Sequence, residues 1–240
     1  MRIEMNIEQL AYRSKKLRDF EEILGYSFHD RELLELALCH SSYANENGLN
    51  KSNERLEFLG DAVLELTVSH LLFNFFGEST EGELTRKRAN IVCQESLVKW
   101  GEYLKIQDLI LRGKSLRNLC PYSVYSDAIE SVIGAVYIDG GYDEALRVVK
   151  RHVAFFLKYD DNSDPKSCLQ MLMQIKKNDI PVYEIISIEG PDHAPLFKVK
   201  VKAGGKEWIG EGSSKKSAEA SAADKAMKDL QSEEINESNQ

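Results

Sequence analysis

The sequence predicts an all-α domain followed by a small α+β domain of order α-β-β-β-α. Three observations lead there. All five prolines (Pro121, Pro165, Pro181, Pro191, Pro195) follow the first 120 residues, so that stretch lacks the residue that breaks helices. Its apolar residues recur with helical spacing, whereas Phe197, Val199 and Val201 alternate with Lys198, Lys200 and Lys202 as in a half-buried strand. Between the two patterns, residues 158–165 are polar, rich in turn residues and end in proline, which is linker chemistry.

Taken in order, Leu10, Leu17, Phe20 and Leu24 mark a first helix, and Leu33, Leu34, Leu36 and Ala37 a second. Further helices are expected over 55–75, 86–103, 125–138 and 142–157. Strands are expected at 182–188, at 197–201, and at 207–209 after the Gly204-Gly205 turn, with an alanine-rich helix over 217–230. The expected division is a helical domain at 7–157, a linker at 158–163, the α+β domain at 164–232 and an acidic tail at 233–240, disordered from Gln231 onward.

Composition narrows the function classes. The chain has 240 residues, 42% hydrophobic and 29% charged, which is globular rather than disordered. No apolar run approaches the roughly 18 to 20 residues of a membrane span, and the N-terminus lacks a signal-peptide core. Cys39, Cys93, Cys120 and Cys168 stand far apart without a C-x-x-C and read as buried thiols of a reducing compartment. A soluble, cytoplasmic protein without a membrane partner is expected. The net charge of −8 argues weakly against nucleic acid, but residues 164–230 hold 11 basic and 10 acidic side chains. Within them Lys198, Lys200 and Lys202 share a strand face, and Lys215-Lys216 open the last helix.

The most informative stretch runs from Asn53 to Leu66. Glu57 and Asp61 are four residues apart and share a helix face, a spacing at which like charges destabilise an isolated helix by about 0.2–0.5 kcal/mol. Their neighbours Leu56, Phe58, Leu59, Ala62 and Val63 are core-type residues, so water is not expected to surround both carboxylates. A second pair, Asp127 and Glu130, shares a face of another apolar helix. Unpaired burial would cost several kcal/mol each, and a divalent cation removes that penalty. Two helices with two carboxylates each suit Mg²⁺ or Mn²⁺. The competing reading is acidic residues near helix N-termini or partners of buried arginines. No Cys/His group has zinc spacing, and His40 and His70 read as core residues. Gly113-Lys114-Ser115 is rejected as a phosphate loop because Asp108 stands where the upstream glycine is required.

At these residues the chain resembles the bacterial ribonuclease III family of double-stranded-RNA endonucleases. Asn53-Glu-Arg-Leu-Glu-Phe-Leu-Gly-Asp61 is similar to the family signature. Asp127-Ala-Ile-Glu130 with Ile133-Gly134 and Tyr137-Ile138-Asp139 resembles its second acidic motif. The blocks at 40–46 and 81–85 fit between, and the resemblance covers about residues 7–231. It implies that Glu57, Asp127 and Glu130 ligate the metal and that Asp61 acts through metal-bound water. Asp61 and Glu130 would be the catalytic pair, with Glu130 most tied to turnover and Glu54 and Glu81 in supporting roles. It also implies that Phe58 inserts into the partner subunit of a homodimer; the competing reading is an ordinary core Phe. Ser123-Val124-Tyr125-Ser126 departs from the family's more usual Ser-Ile-Leu-Ala, putting polar Ser126 beside a ligand.

The C-terminal order matches the double-stranded RNA-binding domain, which reads A-form shape largely without sequence. By that resemblance Ser167, Gln170 and Gln174 face one minor groove and His193, between two strands, reaches the next. Lys215 and Lys216 meet phosphates at a helix N-terminus. Met171 departs from the acidic residue often found beside Gln170. Phe197, Val201, Trp208, Ala222 and Ala226 are expected in the core. The resemblance implies Mg²⁺-dependent hydrolysis of duplex RNA without a small-molecule cofactor, giving 5′-phosphate and 3′-hydroxyl ends with short 3′ overhangs. Its substrates would be ribosomal precursors and structured messenger or transfer RNA transcripts. The rival from another class is a non-cleaving duplex-RNA binder, from which the full set of four carboxylates separates it; an enzyme acting on a small diphosphate leaves the C-terminal domain unexplained.

Overall fold

The computed structural model describes residues 7–116, 121–159, 164–176, 179–191 and 194–237. The chain forms two compact units that part between Val153 and Ala154. The first holds α1 (Ile7–Leu24), α2 (Arg31–Ala37), α3 (Ser41–Glu46), α4 (Glu54–Phe75), α5 (Glu81–Val92), α6 (Gln94–Tyr103) and most of α7 (Ser123–Tyr159). Phe20, Leu24, Leu34, Leu64, Leu72, Trp100, Ile129 and Ile133 are fully buried, each contributing about 1.5–3 kcal/mol.

The helix expected over 86–103 is two helices. Cys93 takes an extended backbone (φ −66°, ψ 153°) that interrupts the hydrogen-bond ladder without proline or glycine. The upstream helix begins five residues earlier than expected, at Glu81, where Thr80 and Glu83 form a reciprocal capping box. The two helices expected at 125–138 and 142–157 are both present within α7, parted at a kink by Gly141, whose non-helical backbone (φ 80°, ψ −173°) suits glycine. Just before that kink the nearly buried Asp139 accepts hydrogen bonds from Tyr26 Oη (2.7 Å) and the backbone N–H groups of His29 (2.7 Å) and Asp30 (2.9 Å). Burial pushes its pKa up, but these donors win and hold it below the ordinary carboxylate value. Asp139 therefore ties the α1–α2 loop to α7.

The second unit holds α8 (Pro165–Ile175), the antiparallel sheet β1 (Val182–Glu189), β2 (Leu196–Ala203), β3 (Lys206–Gly212) in that order, and α9 (Lys215–Glu237). Asp164 caps α8 by accepting the N–H of Ser167 at 3.1 Å, with Pro165 at the first helical position. One sheet face packs on α9 at very short range: a Cβ on Gly210 would lie 2.1 Å from Ala222 N and 2.4 Å from Ala218 O. That approach explains the alanines of α9, of which Ala218, Ala222, Ala223 and Ala226 are fully buried.

The lysine row of β2 is not the basic patch the sequence suggested. Register sets glutamates of β1 and β3 beside it. Lys198 lies 3.2 Å from Glu189 and 3.7 Å from Glu211, Lys200 lies 3.5 Å from Glu207 and 3.7 Å from Glu184, and Lys202 lies 3.4 Å from Glu207. Such exposed pairs add little stability, but they cancel the charge of that face. The tail also differs: α9 continues to Glu237, through a run without proline or glycine in which glutamate and glutamine favour helix. Cys39 and Cys168 are buried thiols, whereas Cys93 is exposed; Cys120 lies outside the described residues. Among the described residues no helix is long and apolar enough to cross a membrane.

Candidate functional site

Two helices meet backbone to backbone to build the site. A Cβ on Gly60 of α4 would stand 1.8 Å from the carbonyl oxygen of Glu130 on α7, and one on Gly134 would stand 2.3 Å from that of Leu56. This contact sets the acidic face of α4 against that of α7. Glu57, Asp127 and Glu130 each bring one carboxylate oxygen within 4.8 Å of the other two. All three are half-buried, and among the described residues none is ion-paired to a lysine or arginine. The arginine-partner reading therefore fails. Asp61 is exposed and outside this trio, yet its charge acts on both Glu130 and Glu57.

Electrostatics report the strain of this arrangement. Burial, then the negative charges of Asp61, Asp127 and Glu57, push the Glu130 carboxyl up to about 7. Burial, then Asp127, Glu54 and Asp61, raise Glu57 as well. Asp127 is raised by burial, partly offset by the Ser126 hydroxyl and by the nearby His40 ring. Crowded, half-buried hard oxygens without a lysine or arginine partner among the described residues fit a divalent cation of the Mg²⁺ or Mn²⁺ class.

The remaining expected residues divide. Glu54 lies in the first turn of α4, accepts the Ser52 hydroxyl at 2.7 Å and adds charge near Glu57, but is outside the trio. Glu81, exposed at the start of α5, accepts the Thr85 hydroxyl at 2.9 Å and is likewise outside it. Phe58 is 83% exposed and so is no core residue; with Leu66 and Phe73 it makes an apolar stripe along α4. His40 is partly exposed and caps α3, accepting the N–H of Ser42 at 3.1 Å. His70 is exposed and meets the Tyr142 hydroxyl at 2.9 Å, so neither histidine is the buried core residue expected. Sequence reasoning missed the influence of His40 on Asp127, which follows from a contact between distant chain segments and has no local signal.

In the second unit, Ser167, Gln170 and Gln174 lie on the face of α8 opposite Leu169 and Leu172, which are fully buried. The Ser167 hydroxyl donates to Asp164 at 2.7 Å. Gln174 Oε1, by contrast, is buried without a hydrogen-bond partner. Met171 is buried at 2% exposure and packs inside, whereas Gln170 is half-buried. Lys215 and Lys216 are exposed in the first turn of α9, with Lys215 3.9 Å from Glu219. His193 lies outside the described residues.

Comparison with known proteins agrees with this geometry. Residues 30–155 match the family model described as Ribonuclease-III-like, and residues 165–230 match the double-stranded RNA binding motif. The Ribonuclease 3 of Oleidesulfovibrio alaskensis is 44% identical over 89% of this chain and 97% of its own length. That of Geobacillus kaustophilus is 41% identical over 91% of this chain and 92% of its own. Among solved structures, the nuclease domain of ribonuclease III from Campylobacter jejuni matches with a TM-score of 0.55 and 35% identity, over 61% of this chain and 97% of that one. A helical nuclease domain is thus followed by a double-stranded RNA-binding domain, and the chain belongs to the ribonuclease III family.

Proposed function

We propose that this protein is a homodimeric, Mg²⁺-dependent endoribonuclease that hydrolyses double-stranded RNA. The observation that carries the reading is the trio of Glu57, Asp127 and Glu130, whose oxygens converge within 4.8 Å across two helices. These three hold the cation, with Mn²⁺ as a substitute, and Asp61 faces the solvent side of the same site. When bound, the cation supplies a nucleophilic water at neutral pH and positive charge for the leaving oxygen. Glu54 and Glu81 support the acidic field. The products carry 5′-phosphate and 3′-hydroxyl ends with short 3′ overhangs, and the substrates are ribosomal precursors and structured messenger or transfer RNAs in the cytoplasm. The match of 165–230 to a double-stranded RNA binding motif supports duplex binding by Ser167, Gln170, Gln174, His193, Lys215 and Lys216.

The test is a gel assay on a uniform RNA duplex in Mg²⁺, in Ca²⁺ and in EDTA. Cleavage in Mg²⁺ but not in Ca²⁺ or EDTA is expected; binding without cleavage in Mg²⁺, and in Mn²⁺ put in its place, would leave a duplex-RNA binder. Dimerisation is proposed through the apolar stripe of α4, since a Phe that is 83% exposed at the edge of a buried site calls for a cover. One Campylobacter jejuni nuclease-domain structure, 38% identical over 56% of this chain and 93% of that one with a TM-score of 0.53, is described for flexibility in a region involved in dimer formation. Phe58→Ala is expected to shift sedimentation toward monomer at micromolar concentration while leaving the helical signal intact. An unchanged dimer would remove Phe58 from the interface.

A further inference from the structure

Among the described residues, one hydroxyl tethers one member of the carboxylate trio. Ser126 Oγ lies 3.2 Å from Asp127 Oδ1 and 2.8 Å from the carbonyl oxygen of Ser123. No hydrogen-bond donor reaches the Glu57 or Glu130 side chain among those residues. Adjacent side chains on a helix point away from each other, so this contact needs a cause. Burial supplies it: Ser126 is 4% exposed, so its hydroxyl finds its acceptors within the protein, on its own helix. Its single proton is shared between the Ser123 carbonyl and the Asp127 carboxylate.

We propose that Ser126 is a positioning residue, which holds the Asp127 carboxylate toward Glu57 and Glu130 before a cation arrives. The proposal rests on the metal-site reading above. Without a tether, repulsion among three carboxylates within 4.8 Å favours rotamers that separate them, and cation binding must then freeze the right one. With the tether, part of that ordering cost is met during folding. Ser126 touches neither substrate nor cation; its effect passes through Asp127.

The experiment titrates Mn²⁺ binding by calorimetry and, separately, cleavage rate against Mg²⁺, for wild type, Ser126→Ala and Ser126→Cys. Cysteine fills nearly the same volume but is a weak donor. Both variants are expected to need about three- to tenfold more metal for half-saturation in both titrations. Maximal rate at saturating Mg²⁺ and the melting temperature in EDTA should stay near wild type. If Ser126→Ala titrates like wild type, the tether has no function. If Ser126→Cys restores wild-type behaviour where Ser126→Ala does not, Ser126 acts by packing alone. Wild type that binds no Mn²⁺ would bring down the metal-site reading itself, and this inference with it.

Discussion

Glu130→Gln is expected to leave duplex binding intact and to reduce Mg²⁺-dependent cleavage by at least about a hundredfold, since loss of even an outer partner of a metal ligand costs about 10–100-fold. Glutamine keeps the shape of the side chain and removes the charge that the cation needs, so a filter-binding assay and a cleavage assay should part company. The same carboxyl sets a pH dependence. Its pKa of about 7 in the fold means that protons compete with the cation for it. Metal affinity should therefore fall as pH drops through 7. Stability without metal runs the other way. A folded pKa above the ordinary 4.5 means that the fold holds this proton more tightly than the unfolded chain does. The contribution favours the fold at low pH and is lost as pH rises through about 7. Melts in EDTA on either side of pH 7 check the sign, because Glu130→Gln should narrow the difference between them. A cleavage rate within tenfold of wild type would remove Glu130 from the metal site.

Gly60→Ala should be as damaging by a different route. In a helix interior alanine gains about 1 kcal/mol over glycine from propensity. Here its Cβ would stand 1.8 Å from the Glu130 carbonyl oxygen, and overpacking of a tight contact costs about 1–3 kcal/mol or more. The clash is with main chain, which cannot swing aside as a side chain does, so the unfavourable term wins. A net loss of about 2 kcal/mol is expected, lowering the melting temperature by about 4–8 °C. Because α4 and α7 must separate, cleavage should fall further than stability explains. A variant that melts and cuts like wild type would show that the two helices have slack.

Much of this was legible in the sequence, and the exceptions share a cause. The strand of Phe197, Val199 and Val201 was plain because a period of two needs only local pattern. The acidic pairs at 57/61 and 127/130 were plain because like charges amid apolar residues conflict with burial. The break at Cys93 was missed because an extended residue there carries no glycine or proline, although the capping box of Thr80 and Glu83 did announce the true start of α5. The lysines of β2 misled because their partners sit on other strands, and only register brings Glu184, Glu189, Glu207 and Glu211 beside them. Gly60 read as one letter of a motif; its reason is the carbonyl of Glu130, seventy positions along the chain.

The lysine–glutamate lattice on the outer sheet face has a consequence for how the protein meets a polyanion. Its alternating charges leave that face electrically silent, and the chain as a whole carries −8. That face therefore contributes little long-range attraction of its own. Encounter becomes a matter of orientation: an approach along the sheet feels no pull, whereas one that presents the start of α9 brings Lys215 and Lys216 forward. The lattice thus leaves the two lysines that open α9 as the positive charge this part of the surface turns outward without a row of glutamates beside it.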